Sequence, residues 1–181
     1  MFSKLLVVMA SCLMWSGLAH AQTEAGALTD PQIAAIVVAA NQVDIDAAKV
    51  AKSHTKNKDV KEFAETMIRD HESGNKQTKA LVKKLKVTPE PNPTSKSLLE
   101  GGKQNVKALQ KLKGADFDKA YIDHEVAYHQ QVLDAINSKL LPSATNPELK
   151  AFLERATPAF QAHLDHAKEL QTKLASAGAA K

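Results

Sequence analysis

Apolar residues recur along this chain at helical spacing, in four long stretches. Between Pro31 and His54 the stripe runs through Ile33, Val37, Ala40, Ala47 and Ala51, and between Val60 and Leu85 through Phe63, Ala64, Met67, Ile68 and Leu81. A third stripe carries Ile122, Val126, Leu133 and Ile136, and a fourth Ala156, Phe160 and Ala167. Strand-period alternation is absent, so the chain is expected to be all-α. Each stripe is interrupted near its middle by an acid or a histidine: Asp44, His71, His129 and His163. A lone buried polar group costs roughly 2–7 kcal/mol, so the four are expected to meet one another or to share a ligand.

Turn residues divide the stripes into elements. Thr29 to Gln32 is a capping box with Pro31 in the first turn, opening a helix to about His54. A second helix is predicted from about Asp59 to Leu85. The segment Lys86 to Ser95, with Pro89, Pro91 and Pro93, reads as an extended linker before a shorter helix from about Lys96 to Leu112. Asp116 is the expected cap of the third long helix, to about Lys139, and Thr145 with Glu148 that of the fourth, which contains Pro158. Two short loops make two antiparallel hairpins, and the linker with its minor helix then crosses between them. Together these predict a ferritin-like four-helix bundle over residues 29–175, with a flexible 22–28 and a frayed 176–181.

Residues 1–21 have the form of an export leader: Lys4, an apolar run from Leu5 to Leu18, and Ala19-His20-Ala21 for cleavage. That predicts a periplasmic or otherwise exported protein without an integral membrane span. The single cysteine, Cys12, leaves with the leader, so the core must hold without disulfides. With Lys4 removed, 23 basic residues face 20 acidic ones, a net charge of 23 − 20 = +3. Most lysines alternate with acids as on a solvated helix face, which argues against nucleic acid as a partner. Only Lys76 to Lys86 is basic enough for a weak contact with an anionic envelope surface.

The pattern Phe63-Ala64…Met67-Ile-Arg-Asp-His71, Phe117-Asp118…Tyr121…His129 and Pro158…His163-Leu164 resembles the bacterial exported proteins of domain-of-unknown-function family 4142. The resemblance implies a ferritin-like fold and a protein of the kind labelled an outer-membrane protein. It implies that Asp44 is the family's helix-one acid, Asp70-His71 its Asp-His pair, and His129 and His163 its later histidines. Tyr128 stands where the family usually has a second Asp.

The residues leave two chemical readings open. The simpler is a buried network of His–carboxylate hydrogen bonds that fixes helix register. The alternative is a mononuclear site for a divalent transition metal (zinc, copper, nickel or iron) built from Asp44, His71, Glu125, His129 and His163, with Glu125 one turn before His129. A di-iron carboxylate centre is disfavoured, because Ile68, Val126 and Phe160 occupy the positions three before the histidines, where Glu-x-x-His would need acids. There is no nucleophile motif and no phosphate loop, so catalysis is not expected. The expected role is that of a non-catalytic envelope interaction or stress-related bundle, with metal binding as the alternative.

Overall fold

The computed structural model of the protein describes residues 27–179. The predicted leader 1–21, residues 22–26 and the last two residues lie outside them. Helices α1 (Asp30–His54), α2 (Lys58–Lys84), α3 (Pro93–Leu109) and α4 (Gly114–Ala135) are followed by a π-turn (Ile136–Leu140). The single turn α5 (Leu141–Ser143) and the long α6 (Pro147–Ala179) complete the order, and there is no strand among the described residues. The chain is an all-α bundle, as its periodicity predicts.

Capping decides where the helices begin. At α1 the Gln32 N–H donates to Thr29 Oγ1 (3.4 Å) and the Thr29 N–H to Gln32 Oε1 (3.2 Å), the reciprocal box expected there. Helix α3 starts earlier than Lys96. Asn92 Oδ1 accepts from the Ser95 N–H (3.1 Å), and Pro93 takes the first helical position, where it needs no donor. Asp116 caps nothing: Gly114, at φ +57°, turns the chain into α4, and Asp116 falls inside the first turn. Thr145 is diverted too. Asn146 Oδ1 caps α6 by accepting from the Glu148 N–H (2.9 Å) and the Leu149 N–H (3.2 Å). Thr145 instead donates from its N–H (2.9 Å) and hydroxyl (2.6 Å) to the carboxylate of Asp30, which also accepts from the Asn146 N–H (3.0 Å).

The pairings give the topology. Lys49–Glu72 and Lys52–Glu65 show α1 and α2 antiparallel. Asp70–His163 and Asp59–Lys173 show the same for α2 and α6, and Ala40–Tyr128 and Thr55–Asp118 for α1 and α4. The proline segment turns at the foot of α1, where the Glu90 N–H donates to the Pro31 carbonyl (3.0 Å) and Asn92 Nδ2 to that of Gln32 (3.1 Å). It is α3, 17 residues and about 25 Å long, that returns along α1 to the other end of the bundle. The crossover helix is therefore a full fifth helix laid on α1.

Helix α1 is enclosed by α2, α3 and α4, and Ile33 to Ile36, Ala39 to Asn41, Val43 to Ile45, Ala47, Ala48 and Ala51 are all buried. Its alanines let three neighbours approach. Gly102 of α3 is the tightest point, since a Cβ there would lie 2.8 Å from Val43 Cγ2. Two apolar clusters fill the interior: one around Phe63, Met67, Phe117, Tyr121 and Ile122, the other around Ile33, Ile36, Ile136, Leu149 and Leu153. The interrupting acids and histidines lie between them along the helix axes.

The two adjacent glycines of α3 should respond in opposite directions. Gly102→Ala must displace the stiff Val43 side chain and is expected to destabilise by about 1–3 kcal/mol. A Cβ on Gly101 meets nothing within 4 Å. Gly101→Ala should therefore stabilise by about 0.5–1 kcal/mol through helix propensity. Urea unfolding of both variants checks this; equal shifts would refute the close α1–α3 contact.

Candidate functional site

Asp44, Glu125 and His129 are fully buried, His71 is 3% exposed and His163 8%. The His71 and His129 ring centroids lie 5.7 Å apart, His71 and His163 5.3 Å, and His129 and His163 5.4 Å. His71 Nε2 is 3.5 Å from Asp44 Oδ2, and His129 Nδ1 is 3.5 Å from Glu125 Oε2. Within both sets, His71–His129–His163 and Asp44–Glu125–His129, ligand-type atoms lie within 4.8 Å of one another. The structure thus brings together all five residues singled out from the sequence, one each from α1, α2 and α6 and two from α4.

Each imidazole is tethered by one ring nitrogen. His129 Nδ1 donates to the Glu125 backbone carbonyl (3.0 Å), a group that can only accept. His163 Nε2 donates to Asp70 Oδ2 (3.1 Å), and Asp70 is held in turn by Arg69 Nε (2.8 Å). His71 Nδ1 donates to Asn41 Oδ1 (2.9 Å), whose orientation is set by Asn41 Nδ2 donating to Asn75 Oδ1 (3.1 Å). The opposite nitrogens (Nε2 of His71 and His129, Nδ1 of His163) are then lone pairs. None has a hydrogen-bond partner among the described residues, nor has either oxygen of Asp44 or Glu125 as a carboxylate.

Asn41 and Asn75 were not among the sequence candidates, although Asn41 ends an apolar run from Ile33 to Ala40, one turn before Asp44. Gly74 makes room for them: a Cβ there would lie 3.1 Å from Asn41 Nδ2. Tyr128, where the family resemblance puts an acid, donates its hydroxyl to the Ala40 carbonyl (3.2 Å) and ties α4 to α1. His166 packs edge-on to Phe63 (5.2 Å), away from the three-imidazole centre, whereas His124 stacks on Tyr128 (5.5 Å) with its Nδ1 3.7 Å from Glu125 Oε1.

Burial dominates the electrostatics. It pushes Glu125 up to about 8, with the Asp44 hydrogen bond opposing. Burial, then Glu125, raises Asp44 well above the usual carboxyl range. Neither the buried Tyr121 hydroxyl nor His124 Nδ1, 3.7 Å from Glu125 Oε1, makes a hydrogen bond to these carboxyls, and a proton held between the two or a cation would satisfy them. Burial, then the neighbouring His163, lowers His129 to about 4, and burial followed by His129 and His163 lowers His71 well below its usual range. The rings are therefore neutral at pH 7, each with one free lone pair.

The chain matches the family described as Domain of unknown function (DUF4142) over residues 16–170. It belongs to that family. No curated protein and no solved structure gives a match. The matched span includes every residue of the cluster, from Asn41 to His163, so the buried site lies wholly within the DUF4142 region.

These shifts fix a pH dependence for protein kept in chelator. The folded His129 titrates at about 4 against an ordinary 6.5, so its contribution is complete above 6.5 and is lost as pH falls towards 4. The folded Glu125 titrates at about 8 against 4.5, so its contribution is complete below 4.5 and is lost as pH rises to 8. Between about pH 4.5 and 6.5 the two slopes cancel, and above 6.5 stability should fall by roughly 2 kcal/mol by about pH 8. Urea midpoints across this range test it; stability still rising at the alkaline end would mean that the carboxyl pair is ionised in the folded state.

Proposed function

We propose that this DUF4142 protein binds one divalent transition metal between its hairpins, through His71, His129 and His163 with a carboxylate from Asp44 or Glu125. The observation that carries the reading is the donor balance. Three imidazole lone pairs and two carboxyl groups converge in the core, and the donors nearest the carboxyls, the Tyr121 hydroxyl and His124 Nδ1, make no hydrogen bond to them. A self-contained hydrogen-bond network needs donors as well as acceptors, whereas a cation satisfies them all. The hydrogen bonds to Asn41, Asp70 and the Glu125 carbonyl fix the ring tautomers as the outer shell of a metal site does. Three imidazoles with a carboxylate suit zinc, copper, nickel or iron better than magnesium or calcium. Tetrahedral zinc sites place ligand atoms about 3.4 Å apart, so the set would close by roughly an ångström around the ion.

An envelope role rests on the leader-like first residues and on the exposed lysines of α2. Nothing in the site supplies a nucleophile, and the reading is of binding rather than turnover.

Protein purified without a histidine tag is expected to hold one equivalent of metal by elemental analysis. After chelation, adding back the ion at a hundredfold over its Kd should stabilise by about 2.7 kcal/mol. His129→Ala should lose both bound metal and the thermal response, while substitution of the exposed His54, His54→Ala, keeps them. Neither bound metal nor a response to zinc, copper, nickel, iron or manganese would sink the proposal.

The tether to Asn41 gives a finer test. Asn41→Leu leaves the His71 Nδ1–H without its acceptor and should weaken metal affinity by about 10–100-fold while sparing the three ligands. Competition titration against a chromophoric chelator measures it; unchanged affinity would remove His71 from the ligand set.

A further inference from the structure

A cavity of about 290 Å³ lies between the hairpins, in the half of the bundle where α1 begins and α4 ends. Its size is near the lower end of the roughly 300–1,000 Å³ of small-molecule pockets. Most of its wall is apolar, with Ile36, Val132, Ile136, Phe152, Leu153 and Phe160 as its bulky members. The π-turn, the one widened stretch among the described helices, forms part of that wall, and such turns concentrate at functional sites.

The charged groups of the wall are unevenly matched. Its one carboxylate, Asp70, is already held by Arg69 and His163. Its two cations, Lys139 of the π-turn and Arg155 of α6, are exposed and form no ion pair among the described residues. Both cations belong to the hairpin of α4 and α6 and line the same cavity. An apolar volume with two unmatched cations at its margin is complementary to an apolar chain that ends in an anion.

We infer that this cavity binds an unbranched aliphatic carboxylate, with the chain between the hairpins and the carboxylate against Arg155 and Lys139. Arg155 offers the planar fork that matches a carboxylate in two parallel hydrogen bonds, and Lys139 adds a point charge. The binding does not depend on the metal site. His71 and His163 contribute ring surface to the cavity wall, whereas Asp44, Glu125 and His129 do not line it.

Calorimetric titration of the full-length chain with butanoate, hexanoate, octanoate and octanol tests this, as purified and again in chelator, with circular dichroism to verify folding. Affinity should rise roughly fourfold for each added methylene until the cavity is full. Octanol should bind several-fold more weakly than octanoate, and Arg155→Ala with Lys139→Ala should erase that difference. Ala156→Phe and Ala135→Phe, which fill the cavity from two different helices, should each abolish octanoate binding. Several results would overturn the inference: no octanoate binding, affinity independent of chain length, or binding that survives both filling variants. Octanoate binding lost in chelator by a chain that stays folded would put the carboxylate on a metal and overturn its assignment to Arg155 and Lys139.

Discussion

A carboxyl group removed from water must keep its proton or find a positive charge, and this bundle buries two of them side by side. Asp44 and Glu125 have no solvent exposure, and the imidazoles beside them are neutral. Desolvating an ion costs several kcal/mol even after relaxation, far more than any single apolar contact returns. The bundle therefore has to surround this pair with groups that tolerate either outcome. It does so by placing an apolar cluster on each side along the axis and by anchoring each imidazole from outside. Changes in the anchoring residues act on the orientation of the rings, and changes in the five inner residues on the charge balance itself.

The same constraint accounts for the composition of α1. A helix that carries a buried acid at its centre must be covered on all sides, and α2, α3 and α4 supply the cover. Coverage by three neighbours requires small side chains, hence the alanines of α1 and the glycine of α3 opposite Val43. The crossover is thus part of the core rather than a strap. Without it, the back of α1, including Val43 next to Asp44, would face water.

The fold was legible in the sequence because each long helix keeps one periodic apolar stripe, and because short loops leave antiparallel packing as the only economical arrangement. The convergence of Asp44, His71, His129 and His163 was legible for the same reason, since a polar residue on an apolar stripe announces itself, and Glu125 was legible from its place one turn before His129. The outer partners did not. Asn41 and Asn75 are as common on solvated helix faces as in buried tethers, and their role depends on a contact between residues 34 apart. The helix starts were misread where two signals competed. Three prolines suggested an extended Ser95, but Asn92 and Pro93 begin a helix together, and the side chain of Thr145 is drawn away from its cap by Asp30.

That carboxylate, at the first residue of α1, grips a turn 115 positions later in the chain. A contact of such sequence separation closes only after the hairpins have formed and docked, since the entropy of closing the loop must first be offset by packing. Stabilisation that forms after the folding transition state falls on the reverse barrier. The Asp30 clasp is expected to set how long the assembled bundle stays shut rather than how fast it assembles. In a protein without disulfides among its described residues, it is a kinetic fastener at the end of the bundle where the cavity lies.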